Sequence, residues 1–270
     1  MTANGWNVLS GDGKTAPALA SDFPATGRTV AGFGDLVRGL GDAAPALWET
    51  APPRPGQEAG MTGEDYLRHW QAGAASAGPV RAVLGFCVGS VFAAGLAAEI
   101  GRLQGEAPRL VLFDPERPDV DLLHRHYHEL IGGLAPMLSP DEIDEARRAG
   151  QETRRAHTAM RPLAEDLCEL FRKYGEPAFR RTGLDAERGA EVVATFASFL
   201  GYLVAASDLD PRPAWADAVA ISSATPHSGL NPLPPQERST LVAREIAFDL
   251  PHTELLRDTG VARTVSQLLA

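Results

Sequence analysis

A cysteine stands between two glycines in Gly85-Phe86-Cys87-Val88-Gly89. The pattern G-x-C-x-G sets a thiol at the tip of a sharp turn from strand to helix. Gly85 and Gly89 let the backbone pass there without Cβ clashes. The flanks supply that context: Val80-Arg81-Ala82-Val83-Leu84 reads as a strand, and the small-residue run Ser90 to Ile100 as a helix. Cys87 is therefore read as a nucleophile rather than as a buried core cysteine. A thiolate attacks thioesters well and forms readily beside a histidine. Exchanging one thioester for another is nearly neutral in energy, so transfer between thiols is at least as natural for Cys87 as hydrolysis.

A thiol nucleophile needs a base, and the base needs an orienting carboxylate. His252 follows the last strand-like run directly, and Asp114 closes the run Arg109-Leu110-Val111-Leu112-Phe113. In a parallel sheet the loops at the carboxyl ends of the strands form the active edge, which brings Cys87, Asp114 and His252 toward one another. The segment Ser222 to Leu230 holds neither Asp nor Glu, which favours Asp114 as the acid. The oxyanion hole is expected from the Val88 N–H and from one donor in Phe23-Pro24-Ala25-Thr26-Gly27. Ala25 or Thr26 fits that second role; Pro24 has no N–H. His124, His126 and His128 do not make a metal site: helical geometry puts His124 and His128 on one face and His126 off it. No metal and no bound cofactor is expected.

The elements that must position these groups alternate. A short strand at Ala16–Leu19 precedes a helix from Thr29 to about Leu40, then a strand at Ala46–Glu49 and a helix begun by Thr62 that carries Tyr66, Leu67 and Trp70. From Asp119 to about Asp210 the pattern is helical throughout, with helices expected at Asp121–Ala135, Pro140–Met160, Leu163–Tyr174 and Glu187–Ala206. Strands resume at Ala218–Ser222 and Arg244–Leu250, and a helix closes the chain at Val261–Leu269. The expected fold class is α/β, a mostly parallel sheet with helices on both faces, formed by residues 1–116 and 211–270. Residues 117–210 are expected to be a helical lid insertion.

The 270 residues carry 35 acidic and 25 basic side chains, a net charge of −10, which argues against a nucleic-acid partner. Two cysteines, Cys87 and Cys168, make no disulfide framework, and a reactive thiol requires a reducing compartment. No apolar stretch is read as long enough to span a membrane, and the N-terminus has no signal design, so a cytoplasmic enzyme is expected. The densest basic cluster falls in the insertion: Arg147, Arg148, Arg154, Arg155 and Arg161. On one continuous helix Arg147, Arg154 and Arg161 share a face, with Arg148 and Arg155 beside it.

These residues together resemble the thioesterases of nonribosomal peptide and polyketide synthesis. The resemblance lies in Phe23–Gly27 as the early oxyanion loop, Leu84–Ser90 as the elbow, Leu110–Asp114 as the strand delivering the acid, and Pro251–Asp258 as the histidine segment. It implies an α/β-hydrolase fold with a helical lid and an acyl-enzyme on the nucleophile. It also implies an acyl, aminoacyl or peptidyl substrate brought on the phosphopantetheine arm of an acyl or peptidyl carrier protein. Release by hydrolysis or cyclisation, in natural-product and antibiotic biosynthesis, follows from the same likeness. Arg147, Arg148, Arg154 and Arg155 then become candidates for docking the acidic carrier. The chain departs from the family in its cysteine, where most members have serine, and in lacking paired glycines in the early loop. Cysteine is shared with acyl- and aminoacyltransferases that shuttle groups between carriers. Dienelactone hydrolase also has a glycine-flanked cysteine, but its members are shorter, lack the insertion and take their acid from the later strand. A non-catalytic hydrolase-like binder is the remaining alternative, against which the intact Cys/His/Asp set argues.

Overall fold

A computed structural model describes residues 2–3, 5–12, 17–23, 30–53, 57–75 and 77–270. The chain divides into two compact units: residues 1–53, 63–117 and 209–270 form the first, residues 54–62 and 118–208 the second.

Among the described residues the first unit is built on eight strands: β1 Thr2–Ala3, β2 Trp6–Ser10, β3 Ala18–Ser21, β4 Leu47–Thr50, β5 Ala82–Phe86, β6 Arg109–Phe113, β7 Val219–Ser222 and β8 Arg244–Ala247. They are ordered β1-β2-β4-β3-β5-β6-β7-β8. The pairs β1/β2 and β2/β4 are antiparallel, and every other pair is parallel. Its helices include α1 Phe33–Leu40, α2 Gly63–Ala74 and α3 Gly89–Gln104.

The second unit holds α4 Val120–Gly133, α5 Pro140–Ala156, α6 Met160–Arg181 and α7 Ala186–Ser207. Three helices of the first unit follow: α8 Arg212–Trp215, α9 Pro235–Leu241 and α10 Thr259–Leu269.

Strand β5 lies in the middle of the sheet, and its period-two alternation feeds two different cores. Ala82, Leu84 and Phe86 join Phe33, Leu36, Leu256, Val261 and Val265, the side of α1 and α10. Gly85 faces the opposite way, onto Ser90 and Ala93 of α3. That second face is closed by aromatic rings, with Tyr66, Trp70 and Phe92 packed at centroid distances of 5.2–5.5 Å. Trp6 Nε1–H donates to the Trp70 carbonyl and Trp70 Nε1–H to that of Ala51, so these indoles bury their rings without leaving a donor unpaired.

The second unit departs from the sequence expectation at α5, which ends at Ala156 and not Met160, at α6, which runs on past Tyr174 to Arg181, and at α7. Helix α7 is 22 residues long and apolar enough to cross a membrane by length and composition, although no such stretch was expected. Half of its apolar window is buried: Val193, Phe196, Leu200 and Leu203 are inside, and Phe196 meets Phe171 of α6 edge-on at 4.9 Å. Burial of this kind is what the core helix of an insertion needs.

At Gly89 the first turn of α3 lies close against the end of β3. A Cβ there would lie 2.2 Å from the Ser21 carbonyl oxygen, a backbone atom that cannot step aside. Gly89→Ala should therefore lose roughly 1–3 kcal/mol of stability. Gly34→Ala on α1, whose Cβ would meet only the tip of Arg38 at 3.9 Å, should be neutral or stabilising by up to about 1 kcal/mol. Urea unfolding of both variants checks the contrast; equal effects would contradict it.

Candidate active site

The elbow takes its shape from the change of element. Strand β5 ends at Phe86, α3 begins at Gly89, and Cys87 between them has φ 51°. A non-glycine side chain in that region is held there by its surroundings. The Cys87 N–H donates to the Phe113 carbonyl at 2.9 Å, and the Cys87 carbonyl accepts from Ser90 N–H at 3.1 Å and Glu116 N–H at 3.3 Å. The thiol therefore stands at the N-terminal end of α3, where helix dipole and free N–H groups favour negative charge.

Asp114 repeats the device one strand over. It follows β6 directly, has φ 43°, and is fully buried. Gly229 is the reason it fits: a Cβ on that glycine would lie 2.7 Å from the Asp114 Cα. Asp114 Oδ2 accepts from His252 Nδ1–H at 2.7 Å, and Oδ1 accepts from Ser223 N–H at 2.8 Å. Donation from Nδ1 leaves His252 Nε2 as the acceptor. His252 is fixed twice more. Its backbone N–H donates to Thr225 Oγ1 at 2.8 Å. Its ring stacks on Phe86, the residue before the thiol, at 4.7 Å between centroids and 12° between planes.

The segment after β7 has no acid, yet it organises the site. Ser223 N–H and Thr225 Oγ1 hold Asp114 and His252, and Asn231 Nδ2 donates to the Ser223 and Thr225 carbonyls at 2.8 Å each. Arg238 in turn donates to the Asn231 and Leu233 carbonyls at 2.7 and 2.9 Å.

The sulfur itself lies among carboxylates. Cys87 Sγ is 3.7 Å from Glu116 Oε2, an acceptor that the sequence reading did not single out. Burial is the main reason the Cys87 thiol is pushed well above its ordinary range. The negative charges of Glu116, Asp22 and Asp114 push the same way, and the Val88 N–H opposes them. Glu116 sits three residues past the end of β6, in Asp114-Pro115-Glu116. A second carboxylate so close to the end of an active-edge strand is the signal that could have found it.

Of the remaining expected groups, Val88 is buried directly after Cys87. Ala25 and Thr26 lie outside the described residues. The arginine stripe requires correction. Helix α5 ends at Ala156 and His157 is extended, so Arg161 belongs to α6 and does not continue a face with Arg147 and Arg154. Arg154 Nε donates to Asp121 Oδ1 at 2.8 Å, and Arg147 is half-buried against Gly132; Arg148 and Arg155 are exposed. His124 and His128 share a face with ring centroids 6.2 Å apart, while His126 meets Phe199 edge-on at 4.9 Å. Among the described residues no group of three or more His, Cys, Asp and Glu is arranged to hold a metal. Cys168 is raised to about 11, chiefly by burial.

No protein-family model matches the chain. No curated protein matches its sequence. Solved structures do match along nearly all of it. The Vlm2 thioesterase domain carrying 2,3-diaminopropionic acid, bound with a dodecadepsipeptide, is similar over 99% of this chain and 97% of that one, with 17% identity and a TM-score of 0.55. The NocB thioesterase domain, in covalent complex with a fluorophosphonate nocardicin G analog, is similar over 98% and 99%, with 15% identity and a TM-score of 0.54. The four-domain nonribosomal peptide synthetase holo-AB3403, bound to AMP and glycine, matches 98% of this chain with 15% identity and a TM-score of 0.61. The chain spans 20% of that synthetase's length. The fold is that of an α/β-hydrolase. In such a fold the turns after β5, β6 and β8 share the carboxyl edge of the sheet, as Cys87, Asp114 and His252 do here.

A thiol held above its ordinary range is more fully protonated near neutral pH than a free cysteine. Alkylation of Cys87 by iodoacetamide should therefore be slower than that of a model thiol at pH 7 and should keep rising beyond pH 9. A pH–rate profile that levels off below pH 8 would contradict the assignment.

Proposed function

We propose that the chain is a thioesterase-like enzyme whose Cys87 takes an acyl, aminoacyl or peptidyl group from the phosphopantetheine thioester of a carrier protein. The observation that carries this reading is the Asp114–His252 hydrogen bond beside a strained cysteine elbow. The likeness in fold to thioesterase domains along nearly the whole chain supports it. In this mechanism His252 Nε2 accepts the thiol proton as sulfur attacks the thioester carbonyl. Asp114 supports the imidazolium, and the Val88 N–H donates to the developing oxyanion. The S–C bond to the arm then breaks, and His252 returns the proton to the departing thiolate. Because burial and carboxylates disfavour a resting thiolate, the proton leaves during attack rather than before it.

A nucleophile then resolves the acyl-enzyme: water to give the acid, or an amine or hydroxyl of the same chain to give a ring. A cysteine also serves transfer to a second carrier thiol, since that step exchanges one thioester for another. Carrier docking on the insertion falls to Arg148 and Arg155, the exposed arginines of α5.

One assay addresses both parts of the proposal. A carrier-bound acyl thioester and its small pantetheine counterpart are offered to the wild type, to Asp114→Asn and to the double variant Arg148→Glu/Arg155→Glu. Asp114→Asn should lower kcat by roughly 10²–10⁴-fold on both substrates. The double variant should raise KM for the carrier-bound substrate alone, and added salt should mimic it in the wild type. Unchanged kcat in Asp114→Asn would remove the acid from the mechanism. Equal losses on the two substrates in the double variant would remove the docking role.

A further inference from the structure

The groups that hold Asp114 and His252 are themselves held from behind. Ser223 N–H and Thr225 Oγ1 lie two residues apart on a loop outside any strand or helix. Irregular backbone has no ladder of its own, so its polar atoms must be fixed from outside. Asn231 does this. Its Nδ2 donates one hydrogen to the Ser223 carbonyl and one to that of Thr225, both at 2.8 Å. The amide cannot be turned over, because its oxygen accepts from Arg238 Nη1 at 3.3 Å and a guanidinium only donates. Arg238 anchors the arrangement. Its Nη2 donates to the Asn231 carbonyl at 2.7 Å and its Nε to that of Leu233 at 2.9 Å, while Glu245 of β8 lies 3.9 Å from Nη1. Glu245 also accepts from Ser222 Oγ at 2.6 Å, at the end of β7. The clamp is thus fastened to the two strands whose following loops carry Ser223 and His252.

We propose that Arg238 and Asn231 are positioning residues for the reaction at Cys87: they set the angle of the His252 imidazole through Ser223 and Thr225 without touching a reacting atom. The inference rests on the reading of His252 as the base and places control of that base on α9. A base moved slightly off its line with the sulfur loses rate and not substrate affinity. The planar fork of Arg238 meets its oxygens in fixed directions, which an ammonium would not reproduce. The side chain also lines an open cavity of about 260 Å³ with Ser239, Arg244 and Glu245, so a small cation from solvent can reach the space it fills.

The test is chemical rescue, with Arg238→Ala, Arg238→Lys and Asn231→Leu set beside the wild type on one acyl pantetheine thioester. Arg238→Ala and Asn231→Leu should each lower kcat roughly 10- to 100-fold at unchanged KM. Arg238→Lys keeps the charge without the fork and should recover little of the loss. Guanidinium ion at millimolar concentration should restore part of the rate to Arg238→Ala and none to Asn231→Leu. Full rate in Arg238→Ala, or a loss that guanidinium does not relieve, overturns the proposal. Should Asn231→Leu not fold, Arg238→Ala, at a partly exposed side chain, carries the test alone. A second readout needs no turnover: the low-field proton NMR signal of His252 Nδ1–H, which Asp114 accepts. It should shift or broaden in Arg238→Ala, while the amide signals of β5 and β6 stay in place, and should return with guanidinium. An unchanged signal overturns the positioning role. If the wild type turns over no thioester while this signal moves as expected, the thioester reading fails and the clamp stands.

Discussion

Asp114 is a fully buried carboxylate, and the rest of the site is arranged to make that tolerable. An uncompensated carboxylate in such a place would be expelled or neutralised. Here each oxygen has a donor of its own, Ser223 N–H and His252 Nδ1–H, both within 2.8 Å. Those donors come from the loops after β7 and β8, so the sheet must bring three successive strand ends into register before the carboxylate is satisfied. The parallel pairing of β6, β7 and β8 does so. Gly229 yields the space into which the left-handed Asp114 backbone fits. Satisfying one buried charge thereby orients the imidazole, and the stacked Phe86 ring carries that orientation to the residue beside the thiol.

The thiol at the end of this chain of contacts is not a pre-formed thiolate. Burial and three carboxylates hold its proton on, against the Val88 N–H and the end of α3. In the mechanism proposed above, a cysteine held in this way loses its proton as it attacks, as a serine would, and remains the better leaving group for the second step. That combination suits a site whose product is another thioester or a ring. It also protects the resting thiol, because oxidation and alkylation follow thiolate character.

Much of this was legible in the sequence because it depends on local pattern. The glycine-flanked cysteine after an apolar run, the carboxylate closing Arg109–Phe113 and the histidine following the last strand are each set by a strand end. Other features were not legible, because they arise from chain reversals. Glu116 reaches the sulfur only when the loop after β6 folds back on the elbow. The Ser223–Asn231 segment reads as an unremarkable polar loop, and its role lies in backbone and hydroxyl groups that no residue type announces. The break between α5 and α6 at His157 lacks glycine or proline, so helical periodicity ran through it and carried Arg161 onto the wrong helix. The antiparallel strand β2, Trp6–Ser10, is fully buried only at Trp6, which left no buried face for alternation to mark.

The central claim is that Cys87 carries the acyl group during turnover. Rapid-quench intact-protein mass spectrometry with an acyl pantetheine thioester tests it most directly, with peptide mapping to separate Cys87 from Cys168. The account predicts a transient single adduct on Cys87 in the wild type. In Cys87→Ser it predicts a longer-lived oxoester at the same position, and in Cys87→Ala no adduct. An adduct on Cys168, or turnover retained in Cys87→Ala, would contradict it.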